Sequence, residues 1–117
     1  VRLIVLAAAS LALAGCGRET PAPPGADPER GRLLLRQFGC GTCHRIPGVP
    51  AARGGVGPPL DGLARRVYLA GLLPNTPANL ARWIRAPQAI DPGTAMPDMQ
   101  VGEDHARDMV AYLATLR

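Results

Sequence analysis

The sequence predicts a small all-α domain, on three observations. Apolar residues recur at helical spacing in three stretches, within 31–38, 80–84 and 106–113, each forming one face of a helix. No segment shows the alternation of a half-buried strand, and there is no internal repeat. The 14 glycines and 13 prolines crowd the segments in between and bar regular structure there.

The 117 residues have room for one domain, and part of the chain lies outside it. Residues 1–15 have the make-up of a secretory segment: Arg2 in a short basic start, then an apolar run from Leu3 through Ala14, too short for a comfortable membrane span. The run ends in Leu13-Ala14-Gly15-Cys16, which resembles the lipobox of bacterial lipoproteins. That resemblance implies cleavage before Cys16 and a diacylglycerol on its sulfur, so that the protein is exported and held at a membrane surface by its lipid. An ordinary signal peptide with an incidental cysteine and an uncleaved anchor are the alternatives. All three place the domain outside the cytoplasmic membrane. Residues 16–25 form a proline-rich tether too polar to pack a core, and residues 26–117 form the domain.

Asp27 is a good N-cap, Pro28 suits the first helical position, and Glu29 suits the positive end of the helix dipole. Gly31, Leu34, Leu35 and Phe38 share one face, and Gly39 ends that helix. From Arg45 to Gly57 regular structure is excluded. Gly57-Pro58-Pro59-Leu60 reads as a turn, and a short helical piece is expected over 62–72. Thr76 caps a further helix, with Pro77 in its first turn and Leu80, Trp83 and Ile84 on one face; Ala86-Pro87 stops it. An irregular loop over 88–101 carries Met96. The last helix runs from about Glu103 to Leu116, with two acids in its first turn, Arg117 at its end, and Ala106, Met109, Val110 and Leu113 on its buried stripe.

The chemistry sits in Cys40-Gly41-Thr42-Cys43-His44. Two thiols at this spacing can add across the two vinyl groups of one haem, and the adjacent histidine can then supply the proximal iron ligand. The rivals are a thioredoxin-like dithiol, half a zinc site, and chance. A dithiol motif belongs in a βαβ pattern, which the chain lacks. A zinc site needs two more thiol or imidazole ligands, and only Cys16 and His105 remain. With two thiols on haem and one on lipid, no free thiol is left in an oxidising compartment. All 13 basic residues are arginine, and the formal charge of +4 drops by one once Arg2 leaves with the leader. Such mild basicity on an exported domain makes nucleic acid a poor partner and an acidic docking patch on a redox protein a better one. A domain of about 90 residues with four aromatics buries a modest core, which a covalently tied macrocycle would complete. The apoprotein is expected to be largely unfolded.

These residues together resemble class I (mitochondrial-type) cytochromes c across roughly 26–117. The resemblance rests on the capped first helix with Gly31 and Phe38, the Cys40–His44 motif, Gly57-Pro58-Pro59-Leu60, Pro92-Gly93-Thr94-Ala95-Met96, and the closing helix with Tyr112. The stretches Leu73 to Pro77, Trp83-Ile84-Arg85 and Pro87-Gln88 look most like the haem c domain fused to subunit II of some bacterial cytochrome c oxidases, and like free carriers related to it. The resemblance implies three main helices and short helical turns around one covalent haem c held by Cys40 and Cys43. It makes His44 and Met96 the axial ligands and lets the Pro58 carbonyl accept the His44 Nδ1 proton. It also puts Trp83 against the haem on the methionine side and turns Arg66 toward a propionate. Arg65 competes with Arg66, and Met99 and His105 compete with Met96. Met109 lies on a buried helical stripe and reads as core. Gly31 is expected to let the first and last helices cross closely, with Phe38, Met109 and Tyr112 packed there.

What the resemblance implies in function is electron transfer, not enzymatic turnover: a monomeric one-electron carrier. A quinol-oxidising complex or dehydrogenase would be its donor and a terminal oxidase its acceptor. The ring of lysines with which the mitochondrial proteins dock is absent, so their partners do not carry over. A permanent subunit of an oxidase, reductase or dehydrogenase remains open, as does a haem sensor or enzyme with an exchangeable sixth ligand.

Overall fold

The computed structural model describes residues 22–117, so the expected leader and the expected lipid attachment at Cys16 lie outside the described residues. Helix α1 spans Pro28–Gln37. The Asp27 carboxylate accepts from the backbone N–H groups of Glu29 and Arg30 at 2.9 and 3.1 Å, satisfying two donors that the first turn leaves free. Gly31, Leu34 and Leu35 are buried on one face, as their spacing predicts.

Helix α2 spans Pro77–Arg85, with the Thr76 hydroxyl accepting from Asn79 N at 3.2 Å, and buries Leu80 and Ile84. A one-turn helix, α3, follows over Pro87–Ile90, inside what the sequence reads as irregular loop. Helix α4 spans Glu103–Leu113 and buries Ala106, Met109, Val110 and Leu113. It stops short of Leu116; Thr115 donates both its N–H and its hydroxyl to the Tyr112 carbonyl, closing the helix with a turn.

The helical piece expected over 62–72 is cut short. Leu63–Arg65 makes a single 3-10 turn, and a short antiparallel hairpin follows. Its strands are β1 (Tyr68–Leu69) and β2 (Leu73–Pro74), with Tyr68 opposite Pro74 and Leu69 opposite Leu73. Two things oppose a helix here. Ala70 and Gly71 both take the left-handed region, φ 51° and 71°, which turns the hairpin. The Asn75 side-chain amide donates to the carbonyls of Leu63 and Arg66, both at 2.9 Å, capturing acceptors that a continuing helix would use. The described residues nonetheless form a small, mainly helical domain: α1, α2 and α4 enclose the core, joined by α3, two 3-10 turns and this hairpin.

The crossing of α1 and α4 organises the core. A Cβ on Gly31 would overlap the Asp108 carbonyl and come within 2.9 Å of Met109 N, so only glycine allows this approach. Tyr112 closes the same end, its hydroxyl donating to the Pro47 carbonyl at 2.6 Å. Asp108 is 2 % exposed, a buried carboxylate beside the apolar stripe. Its carboxylate accepts from Asp27 N at 2.8 Å and from Arg30 Nε, so α4 holds the start of α1.

The hydrogen bond from Arg30, with the charge behind it, holds the Asp108 carboxyl below its ordinary value. A carboxyl lowered by folding stabilises above its unfolded pKa of about 3.9, and that stabilisation disappears as pH falls through the lower, folded value. Asp108→Asn removes the charge and sets an amide against two donors. It is expected to cost about 2 kcal/mol at neutral pH, a typical value for a hydrogen bond to a charged group. Urea unfolding of the holoprotein at neutral and strongly acid pH checks this, because the gap between variant and parent should shrink in acid.

Candidate cofactor site

Gly39 leaves α1 with φ 72° and turns the chain into a 3-10 turn, Cys40–Thr42. The N–H groups of Cys43 and His44 donate to the Cys40 carbonyl at 3.3 and 3.0 Å, so both thiols and the imidazole spring from one tight corner. Both thiols are free and half-buried. Burial pushes the Cys40 thiol up, whereas a dithiol redox motif works through a thiol held low. Among the described residues, no group of three or more His, Cys, Asp or Glu side chains could hold a metal ion, so the thiol pair gains no zinc-site partners there.

The turn after this corner is built against His44. Gly57 N donates to the Cys43 carbonyl at 2.8 Å, tying the turn to the motif's backbone. His44 Nδ1 lies 2.7 Å from the Pro58 carbonyl, which can only accept. Nδ1 therefore carries the proton, and the lone pair sits on Nε2. A Cβ on Gly57 would come within 2.7 Å of Nδ1 and 3.0 Å of Nε2, so the imidazole packs on bare backbone and a larger residue would displace it.

Arg66 is half-buried and donates through Nη2 to the carbonyls of Pro59 and Asp61, which joins it to the loop that holds His44; Arg65 is exposed. Trp83 is half-buried on α2, and its indole N–H donates to no described residue. Met96 is half-buried in the loop after α3, where Thr94 Oγ1 accepts from its N–H at 3.2 Å and Gln88 Nε2 donates to its carbonyl at 2.7 Å. Cys40, Cys43, His44, Pro58 and Arg66 thus form one connected cluster. No hydrogen bond or ring contact among the described residues joins Trp83 or Met96 to it.

The competing ligands have other surroundings. Met99 is 40 % exposed, and Met109 is fully buried in the core. His105 is exposed near the start of α4, its ring edge-on to Phe38 at 5.8 Å.

Two thiols and an imidazole with a free Nε2 lone pair are the donors a covalent haem takes at a Cys-x-x-Cys-His motif, and the Met96 thioether is of a type that can serve as a second axial ligand. The apolar surface agrees. Val56, Val67, Tyr68, Leu72 and Met99 are large and exposed, and all lie in sequence between His44 and α4, a supply of apolar surface that a macrocycle could cover. These residues fit the group. A family model for cytochrome c matches residues 28–117, starting at the first residue of α1 and taking in every donor named above.

The chain belongs to the cytochrome c family.

No curated protein matches the sequence. Membership gives this cytochrome c domain covalent haem c as its cofactor class, with Cys40 and Cys43 as the thiols that could bind it, and electron carriage as the function it supports. Several contacts that shape the site left no mark in sequence pattern: Asn75 bracing the segment after the 3-10 turn, Gln88 on the Met96 carbonyl, and Asp108 under α1. Each spans a gap in sequence with a side-chain type common on surfaces, and only the fold brings its partner near.

Proposed function

We propose that the protein is a membrane-tethered one-electron carrier with a single haem c, attached through Cys40 and Cys43 and ligated by His44 and Met96. The observation that carries this reading is the preset imidazole of His44 beside the two thiols, with the backbone of Met96 held on both sides in its loop. Pro58 and Gly57 fix the tautomer and tilt of His44, and Thr94 and Gln88 hold the two sides of the Met96 peptide. When bound, a haem c supplies an iron centre that accepts and returns one electron. The chain's part is to keep both donors in place in either oxidation state, so that little has to move on transfer and no position is offered to a substrate. A neutral, soft thioether favours Fe(II) and raises the potential relative to two imidazoles.

Arg66 and Trp83 complete the reading. Arg66 keeps nitrogens beyond those given to Pro59 and Asp61 for a propionate, and Trp83 brings an indole N–H that no described residue uses. Lipid on Cys16 would keep the carrier at the outer surface of a membrane. A quinol-oxidising complex or dehydrogenase would reduce it, and a terminal oxidase would oxidise it; this direction follows the resemblance to oxidase subunit II domains.

The test is a redox titration of the full-length, detergent-solubilised holoprotein together with a haem count by alkaline pyridine. One haem per chain and a single one-electron transition are expected. More than one haem, or turnover of peroxide, would contradict the reading.

A further inference from the structure

The geometry points to Gln88 as a positioning residue for Met96: its amide clamps the Met96 carbonyl and so sets how readily the thioether leaves the iron. The inference rests on Met96 being the sixth ligand, as proposed above. Its physical basis is the way the loop is held. After α3 the chain has no regular structure up to α4, and a few side chains restrain it. Asp91 begins the restraint, its Oδ1 accepting from Gly93 N and its carbonyl from Thr94 N, both at 3.1 Å. The Thr94 hydroxyl then accepts from Met96 N at 3.2 Å. All of these bonds are local and would move with the loop. Gln88 Nε2 to Met96 O, at 2.7 Å, is the bond that ties the methionine back to a helix.

That helix is a firm base. Pro87 is fully buried, and the turn is closed by Ala89 N to the Ala86 carbonyl at 3.1 Å and Asp91 N to the Pro87 carbonyl at 2.9 Å. Gln88 itself is exposed, so its packing contributes little and the hydrogen bond is its main contact. Pro97 adds a restraint from the other side, because a residue before proline is held out of the helical region. Met99 stands farther along the same loop, exposed and next to Gln100, which takes φ 56°. A neutral thioether binds ferric iron weakly, so its residence depends on how closely the chain keeps it at hand.

The test uses full-length ferric holoprotein mixed with saturating imidazole, with the far-red sulfur-to-iron band followed in time. Displacement is then limited by departure of the thioether. Gln88→Ala is expected to speed it about two- to tenfold, the range for loss of one neutral hydrogen bond. Gln88→Glu keeps the shape, but its carboxyl, ionised above roughly pH 4.3, has no proton to donate, so it should behave like the alanine variant at neutral pH. Haem content and the urea midpoint should stay at parental values in both.

A parental displacement rate in either variant would overturn the inference. So would a rate that rises only in step with a lost urea midpoint, since that would mark general loosening of the fold. Met96→Ala separates the two levels of argument. If the parent protein already lacks the band, or takes up imidazole as fast as Met96→Ala, then the ligand assignment has failed, and the role of Gln88 falls with it.

Discussion

Met96→Ala is expected to leave the haem attached and to open the reduced iron fully to carbon monoxide, which the parent protein should ignore. Cys40 and Cys43, the thiols that could attach it, spring from the 3-10 turn after α1, whereas Met96 comes from the loop after α3. Cutting the methionine back therefore removes one donor without touching the thiols or the Pro58 hold on His44. The far-red band should vanish and the potential fall, because the soft ligand that favours Fe(II) is gone. Neither other methionine is a ready substitute: Met109 is locked in the core, and Met99 would have to carry its exposed loop with it. A Met96→Ala protein with the parental spectrum and no response to carbon monoxide would place the sixth ligand elsewhere.

Gly31→Ala should be the most damaging small change to the fold. In an isolated helix the substitution would help by about 1 kcal/mol. Here the added carbon would overlap the Asp108 carbonyl, which is helix backbone and cannot turn aside. The helices must separate instead, pulling Met109 and Tyr112 out of register and straining the Asp27–Asp108–Arg30 hold. We expect a net loss of about 3 kcal/mol or more, at the upper end of overpacking costs, read as a drop in the urea midpoint of the holoprotein. Gly55→Ala is the control: a Cβ there meets nothing within 4 Å, and its effect should stay within about 0.5 kcal/mol.

What could be read directly from the chain was local. Asp27-Pro28 and Thr76-Pro77 announce the starts of α1 and α2, because a cap and the donors it satisfies lie within three residues of each other. The Cys40–His44 motif is legible for the same reason. Pro58 and Gly31 came through family resemblance, and the structure puts the Pro58 carbonyl against His44 Nδ1 and Gly31 beneath α4. The segment over 62–72 misled because its apolar spacing suits a helix, while its fate is decided by Asn75 reaching back to Leu63 and Arg66 and by the turn at Ala70-Gly71. Asp108 escaped notice for a related reason. Its partners, Asp27 N and Arg30, lie at the far end of the domain sequence, and beside a buried stripe a carboxylate reads as solvated surface.

The central claim is that imidazole and thioether together close the iron. Optical spectra of the solubilised protein, oxidised, then reduced, then reduced under carbon monoxide, test it most directly. A far-red band in the oxidised protein and no change on adding carbon monoxide are the predicted results, and they would leave electron transfer as the role. A missing band with a Soret peak that shifts under carbon monoxide would contradict the claim, and gas binding or catalysis at an open iron would take its place.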